Sequence, residues 1–109
     1  MGSTLDFAEY IASQIDTAGE VSYRKMFGEY AFYVNGKVVA LLCDNQLYIK
    51  PTEGGRLFIG DVVEAPPYPG AKNCFLIDDK MSDKQWLTHL VKITENELPL
   101  PVKKIKKKR

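Results

Sequence analysis

Asn35-Gly36 narrows the folds open to this chain more than any other pair of residues. An Asn-Gly step accepts positive φ at both positions, so it forms a two-residue type I′ turn and pairs its flanks as an antiparallel hairpin. That turn sets Val34 opposite Lys37, Tyr33 opposite Val38, Phe32 opposite Val39, Ala31 opposite Ala40 and Tyr30 opposite Leu41. Asp44-Asn45 reads as a second two-residue loop, setting Leu42 opposite Leu47 and Leu41 opposite Tyr48. Lys25 to Pro51 is therefore expected to be a meander of three short strands.

Strand side chains alternate between faces, so the pairing sorts the meander into two surfaces. Ala31, Tyr33, Val38, Ala40, Leu42, Leu47 and Ile49 form an aliphatic face that suits packing against helices. Tyr30, Phe32, Val39, Leu41 and Tyr48 form an aromatic face, with Lys50 and Gln46 towards its edge. An open apolar face of this size on a soluble domain marks a place of contact. Two occupants stand equally: the chain's own residues 52–73, or a second molecule. A slip of one residue at either turn would exchange the faces beyond it.

Helices flank this meander. Ser3 or Thr4 caps the first, whose stripe is Leu5, Ala8, Ile11, Ala12 and Ile15, and Ala18-Gly19 ends it. Val21 to Phe27 reads as a further strand, with Gly28 marking a bend. Thr52-Glu53-Gly54-Gly55 lacks the lysine and spacing of a phosphate loop and reads as a turn before a short Arg56 to Ile59 helix. Ala65 to Gly70 holds Tyr68 among three prolines, as a rigid crossover into a strand from Cys74 to Ile77. Ser82 and Gln85 form a capping box for the last helix, with Trp86, Leu87, Leu90, Val91 and Thr94 as its stripe and Ile93 on the margin. The expected fold is α+β: two layers, an antiparallel sheet of four to five strands, and N- and C-terminal helices on one face.

A chain of 109 residues fits one domain. Its net charge of +1 is uneven: Lys103, Lys104, Lys106, Lys107, Lys108 and Arg109 supply six of the fifteen basic residues. The remainder carries nine basic against fourteen acidic side chains, a net of −5, which is the wrong sign for a nucleic-acid platform. Residues 3–101 are expected to form the domain, and residues 102–109 a disordered basic tail that is a candidate nucleic-acid contact.

The residue types that carry chemistry are scattered. Cys43 and Cys74 fall in apolar strand segments and read as small buried hydrophobes. His89, alone of its kind, shares a polar helical face with Ser82 and Gln85. Asp78, Asp79 and Asp83 lie at a turn and a helix start, where carboxylates cap and solvate. No catalytic, cofactor or metal residues are assigned, and an enzyme is not expected. No apolar run is long enough to span a bilayer and no secretory leader opens the chain, so the expected location is cytoplasmic.

Several separated segments together resemble a known family. Lys25-Met26-Phe27-Gly28, the Tyr33 to Lys37 turn, Leu47-Tyr48-Ile49-Lys50, Pro66 to Lys72 and the helix ending in Glu97-Leu98-Pro99 are similar, in this order, to the N-terminal domain of the TfoX/Sxy family. The resemblance spans roughly Leu5 to Pro101 and implies a bacterial, cytoplasmic, secretion-chaperone-like α+β domain without known enzymatic activity. Named members regulate competence genes alongside the cyclic-AMP receptor protein and usually carry a second, helical domain. The present sequence is expected to be that first domain standing alone, with Glu29 where glycine is expected in many relatives. The function expected is a noncatalytic regulatory or protein-interaction module that binds a protein partner or a second copy. Nucleic-acid association through the tail is the alternative. If the tail binds DNA, truncation after Val102 abolishes binding at low salt in a mobility-shift titration; equal binding by both proteins removes the tail from consideration.

Overall fold

Asn35 and Gly36 both hold positive φ, 54° and 84°, as the type I′ turn demands. Asp44 and Asn45 do the same at 55° and 58°. These turns join β2 (Glu29–Val34), β3 (Lys37–Cys43) and β4 (Gln46–Ile49). A computed structural model describes residues 3–26 and 28–99. The rest of it comprises α1 (Leu5–Gln14), β1 (Val21–Met26), α2 (Glu53–Ile59), β5 (Glu64–Ala65), β6 (Cys74–Ile77), a 3-10 turn at Asp79–Ser82 and α3 (Lys84–Glu97). The fold is α+β. Its one open sheet has six strands in the order β1-β2-β3-β4-β6-β5, every neighbouring pair antiparallel. The strand beyond the four or five expected is β5, only two residues long.

The β2–β3 ladder starts in the expected register, Val34 opposite Lys37 and Tyr33 opposite Val38. It then shifts: Phe32 pairs with Ala40, Ala31 with Leu41 and Tyr30 with Leu42. Val39 is the extra residue of a β-bulge, where two residues of one strand oppose one of the other. The bulge corrects the sorting of faces. Tyr30, Phe32 and Val39 belong to the main core, with Val34, Ala40, Leu42, Leu47, Ile49, Phe75 and Ile77. Of the five residues of the expected aromatic face, only Leu41 and Tyr48 lie on the opposite side, while Ala31, Tyr33 and Val38 move there by alternation. The physical gain is burial: the Phe32 ring has no exposed surface, and removing it from water contributes about 1.5–3 kcal/mol.

Three helices cover the core face. Thr4 caps α1, its hydroxyl oxygen accepting from the Phe7 N–H at 3.2 Å. Ala8, Ile11 and Ile15 are buried, whereas Leu5 of the expected stripe is 50% exposed. The cap of α3 is Asp83, whose carboxylate accepts from the Trp86 N–H at 3.1 Å. This replaces Ser82, which sits in the preceding 3-10 turn and donates to the Asp79 carbonyl at 3.1 Å. Leu87, Leu90, Val91 and Thr94 are buried as expected, and half-buried Trp86 packs against the core and the Phe58 ring.

The helix α2 begins three residues earlier than expected. Thr52 caps it, accepting from Gly55 N–H at 3.0 Å, and the Gly54 N–H donates to a Glu97 carboxylate oxygen at 3.1 Å. A Cβ at Gly54 would collide with Glu97 and with Ile93, and one at Gly55 would press on Leu90 at 3.3 Å. The two glycines are what allow α2 to lie so close to α3.

Phe32 and Leu41 separate the two registers by experiment. Phe32→Ala is expected to cost about 3–5 kcal/mol in urea unfolding. Leu41→Ala is expected to cost far less, since Leu41 is only partly buried and flanks a small cluster. Equal losses would restore the uninterrupted pairing.

Candidate interaction face

The sheet face turned away from the helices is built by the residues that the bulge leaves behind. Cys43, Tyr48 and Cys74 are buried there, with Leu41, Ala65 and Leu76 packed around them. Part of the covering comes from the chain itself, because β5 lays Ala65 beside Cys74. The remainder is a groove of about 560 Å³ lined by Met26, Glu29, Tyr30, Leu41, Cys43, Lys50 and Tyr68. Met26 is 40% exposed and Tyr68 56%, so two large apolar side chains stand in water at its walls.

Glu29 is held in place at one end. One carboxylate oxygen accepts from the Ser3 hydroxyl and from the Asp44 N–H, both at 2.9 Å. The Ser3 hydroxyl oxygen also accepts from the Asn45 N–H at 2.9 Å, and the Asn45 side chain accepts from the Thr4 N–H at 3.1 Å. A glycine at position 29 would remove the acceptor at the centre of this knot. Lys50 stands at the other end, where its N–H donates to the bulge carbonyl of Val39 at 2.9 Å.

The thiols are quiet. Burial pushes the Cys43 thiol up to about 11, with the charges of Glu29, the Cys74 thiol and Asp44 adding to the effect. Burial raises Cys74 as well, opposed by the Lys50 ammonium. Tyr48 is raised by burial and then by Cys43, Asp44 and Cys74. A protonated thiol is neither a nucleophile nor a metal ligand at neutral pH. The other chemistry-bearing residues are dispersed: His89 is exposed and stacked on Phe58 at 4.7 Å, Asp78 and Asp79 are exposed, and Asp83 caps α3.

The structure thus keeps Leu41 and Tyr48 on the candidate face and sends Phe32 and Val39 to the core, with Tyr30 buried yet bordering the groove. Lys103, Lys104, Lys106, Lys107, Lys108 and Arg109 lie outside the described residues. Sequence reasoning missed Met26, Glu29 and Tyr68. Tyr68 carried a signal of its own, as an aromatic ring held among prolines.

Two comparisons bear on identity. The family model of the TfoX N-terminal domain matches residues 13–97. A protein of Spirochaeta aurantia, described as an uncharacterized 12.7 kDa protein in the trpE 5′ region, is 42% identical over 97 residues, covering 86% of this chain and 84% of its own length.

The raised Cys43 thiol has a consequence with a definite sign. An acid raised on folding keeps its proton after the unfolded chain has lost its own, so stability falls as pH climbs from 9 towards 11. Cys43→Ala is expected to reduce that fall in urea titrations across this range, and the native thiol is expected to alkylate slowly at pH 8. Fast alkylation of Cys43 in folded protein would contradict its burial.

Proposed function

The chain belongs to the TfoX N-terminal domain family, and from that membership we propose that it is a noncatalytic module that works by binding protein across the sheet face opposite its helices. The observation that carries this reading is the apolar groove with Met26 and Tyr68 exposed along it. Methionine and aromatic side chains are enriched where proteins meet, because they bring large contact areas with little charge to desolvate. The buried, protonated thiols and the capping role of Asp83 favour binding over catalysis.

A regulatory place in competence gene transcription is part of the same proposal and is supported by the family resemblance alone. Cytoplasmic location is proposed with it. Among the described residues no helix is long and apolar enough to cross a membrane.

Met26→Ser combined with Tyr68→Ser removes the exposed apolar surface without touching the main core. The expected result is a protein with unchanged circular dichroism that has lost its partner in lysate capture, or its dimer in light scattering. A folded double variant with undiminished association removes this face as the interaction surface.

A further inference from the structure

Along β3 the groove has a polarity. Cys43 continues the ladder opposite Glu29, one step beyond the Tyr30–Leu42 pair, and Leu41 lies midway. Val39, four residues from Cys43, receives the Lys50 N–H. Four strand steps span about 13 Å. The strand positions that carry an anion and a cation therefore lie about 13 Å apart at the two ends of an apolar trough, a span that matches an extended peptide of about five residues.

The two charges differ in how they are engaged. Glu29 is fixed by Ser3 and Asp44. No carboxylate among the described residues pairs with the Lys50 ammonium, although three other cations, Lys37, Arg56 and Lys84, each have one. Between the ends, Met26, Leu41 and Tyr68 offer apolar contact and no charge.

We infer that the groove receives an extended peptide segment with apolar central side chains, an acidic group at the Lys50 end and a basic group at the Glu29 end. This rests on the reading of the face as a protein-binding surface and names the chemistry of what binds. The segment lies over the sheet rather than along an edge, so side chains rather than backbone hydrogen bonds supply its recognition.

The test uses the full chain, labelled with nitrogen-15, and two capped pentapeptides, Arg-Leu-Phe-Leu-Asp and Arg-Leu-Phe-Leu-Arg. Native protein is expected to bind the Arg/Asp peptide about threefold more tightly than the Arg/Arg peptide, the scale of an exposed ion pair. The amides of Leu41, Cys43 and Lys50 should move on binding. Lys50→Glu makes both ends acidic and is expected to reverse the preference, a change of selectivity that loss of fold cannot imitate. Equal binding of the two peptides by both proteins, or shifts confined to other surfaces, overturns the inference. Groove amides that respond only to rising protein concentration assign the site to a second copy and also overturn it. If the peptides fail while the Met26 and Tyr68 double variant still loses its partner, the face stands and only this peptide chemistry falls. If that variant keeps its partner, the face itself is wrong.

Discussion

Two tight turns pin β3 at both ends, and the strand between them holds one residue more than β2 can pair with. That surplus has to leave the ladder somewhere. It leaves at Val39, where the local kink lets Val39 and the Phe32 partner Ala40 both enter the core. β2 alternates without a break, so this one residue decides which β3 side chains share the core face with Tyr30 and Phe32: Ala40 and Leu42 rather than Leu41. Tyr30 and Phe32 go beneath the helices, where Tyr23 meets their rings at centroid distances of 5.9 and 5.8 Å. The other face keeps Leu41, Cys43, Tyr48 and Cys74, and a groove remains beside them.

The helical layer is set by close approach and by local caps. Gly54 and Gly55 bring α2 against α3, and the Glu97 carboxylate receives the Gly54 N–H. Phe58 then reaches both Trp86 and His89. Lys84 joins the start of α3 to Asp16 at 3.0 Å, an exposed pair worth about 0–1 kcal/mol. Such contacts orient the layer, while the stability comes from the buried Ile11, Ile15, Leu87 and Leu90.

Much of this was legible in the residues because the signals were local. Asn35-Gly36 fixes its turn through backbone conformation alone, and the stripe of α3 repeats at helical spacing over many residues. The bulge left no such trace. Lys37 to Cys43 is apolar at six consecutive positions, so no alternation reports which face each residue takes, and the register is decided by the fit of Phe32 and Tyr30 under the helices. Gly54-Gly55 read as a turn because glycine disfavours helices; the gain from packing against Leu90 and Glu97 outweighs that preference. Ser82 and Asp83 are both good caps, and a choice between adjacent residues depends on where the 3-10 turn ends. β5 is too short to have a pattern. The candidate face was half visible: Leu41 and Tyr48 were placed correctly by pairing with each other, but Met26, Glu29 and Tyr68 join them only through tertiary folding.

The knot around Ser3 makes the two ends of the described chain unequal as points of attachment. Ser3 is tied to Glu29, at the mouth of the groove, whereas half-buried Leu98 ends α3 and packs against the core on the helical side of the sheet. A bulky group attached at Ser3 crowds the groove, and one attached at Pro99 stands on the helical side. Immobilisation at Pro99 therefore presents the groove to solution, and immobilisation at Ser3 shields it. The orientation of a tether becomes a variable in its own right when association is measured on this domain.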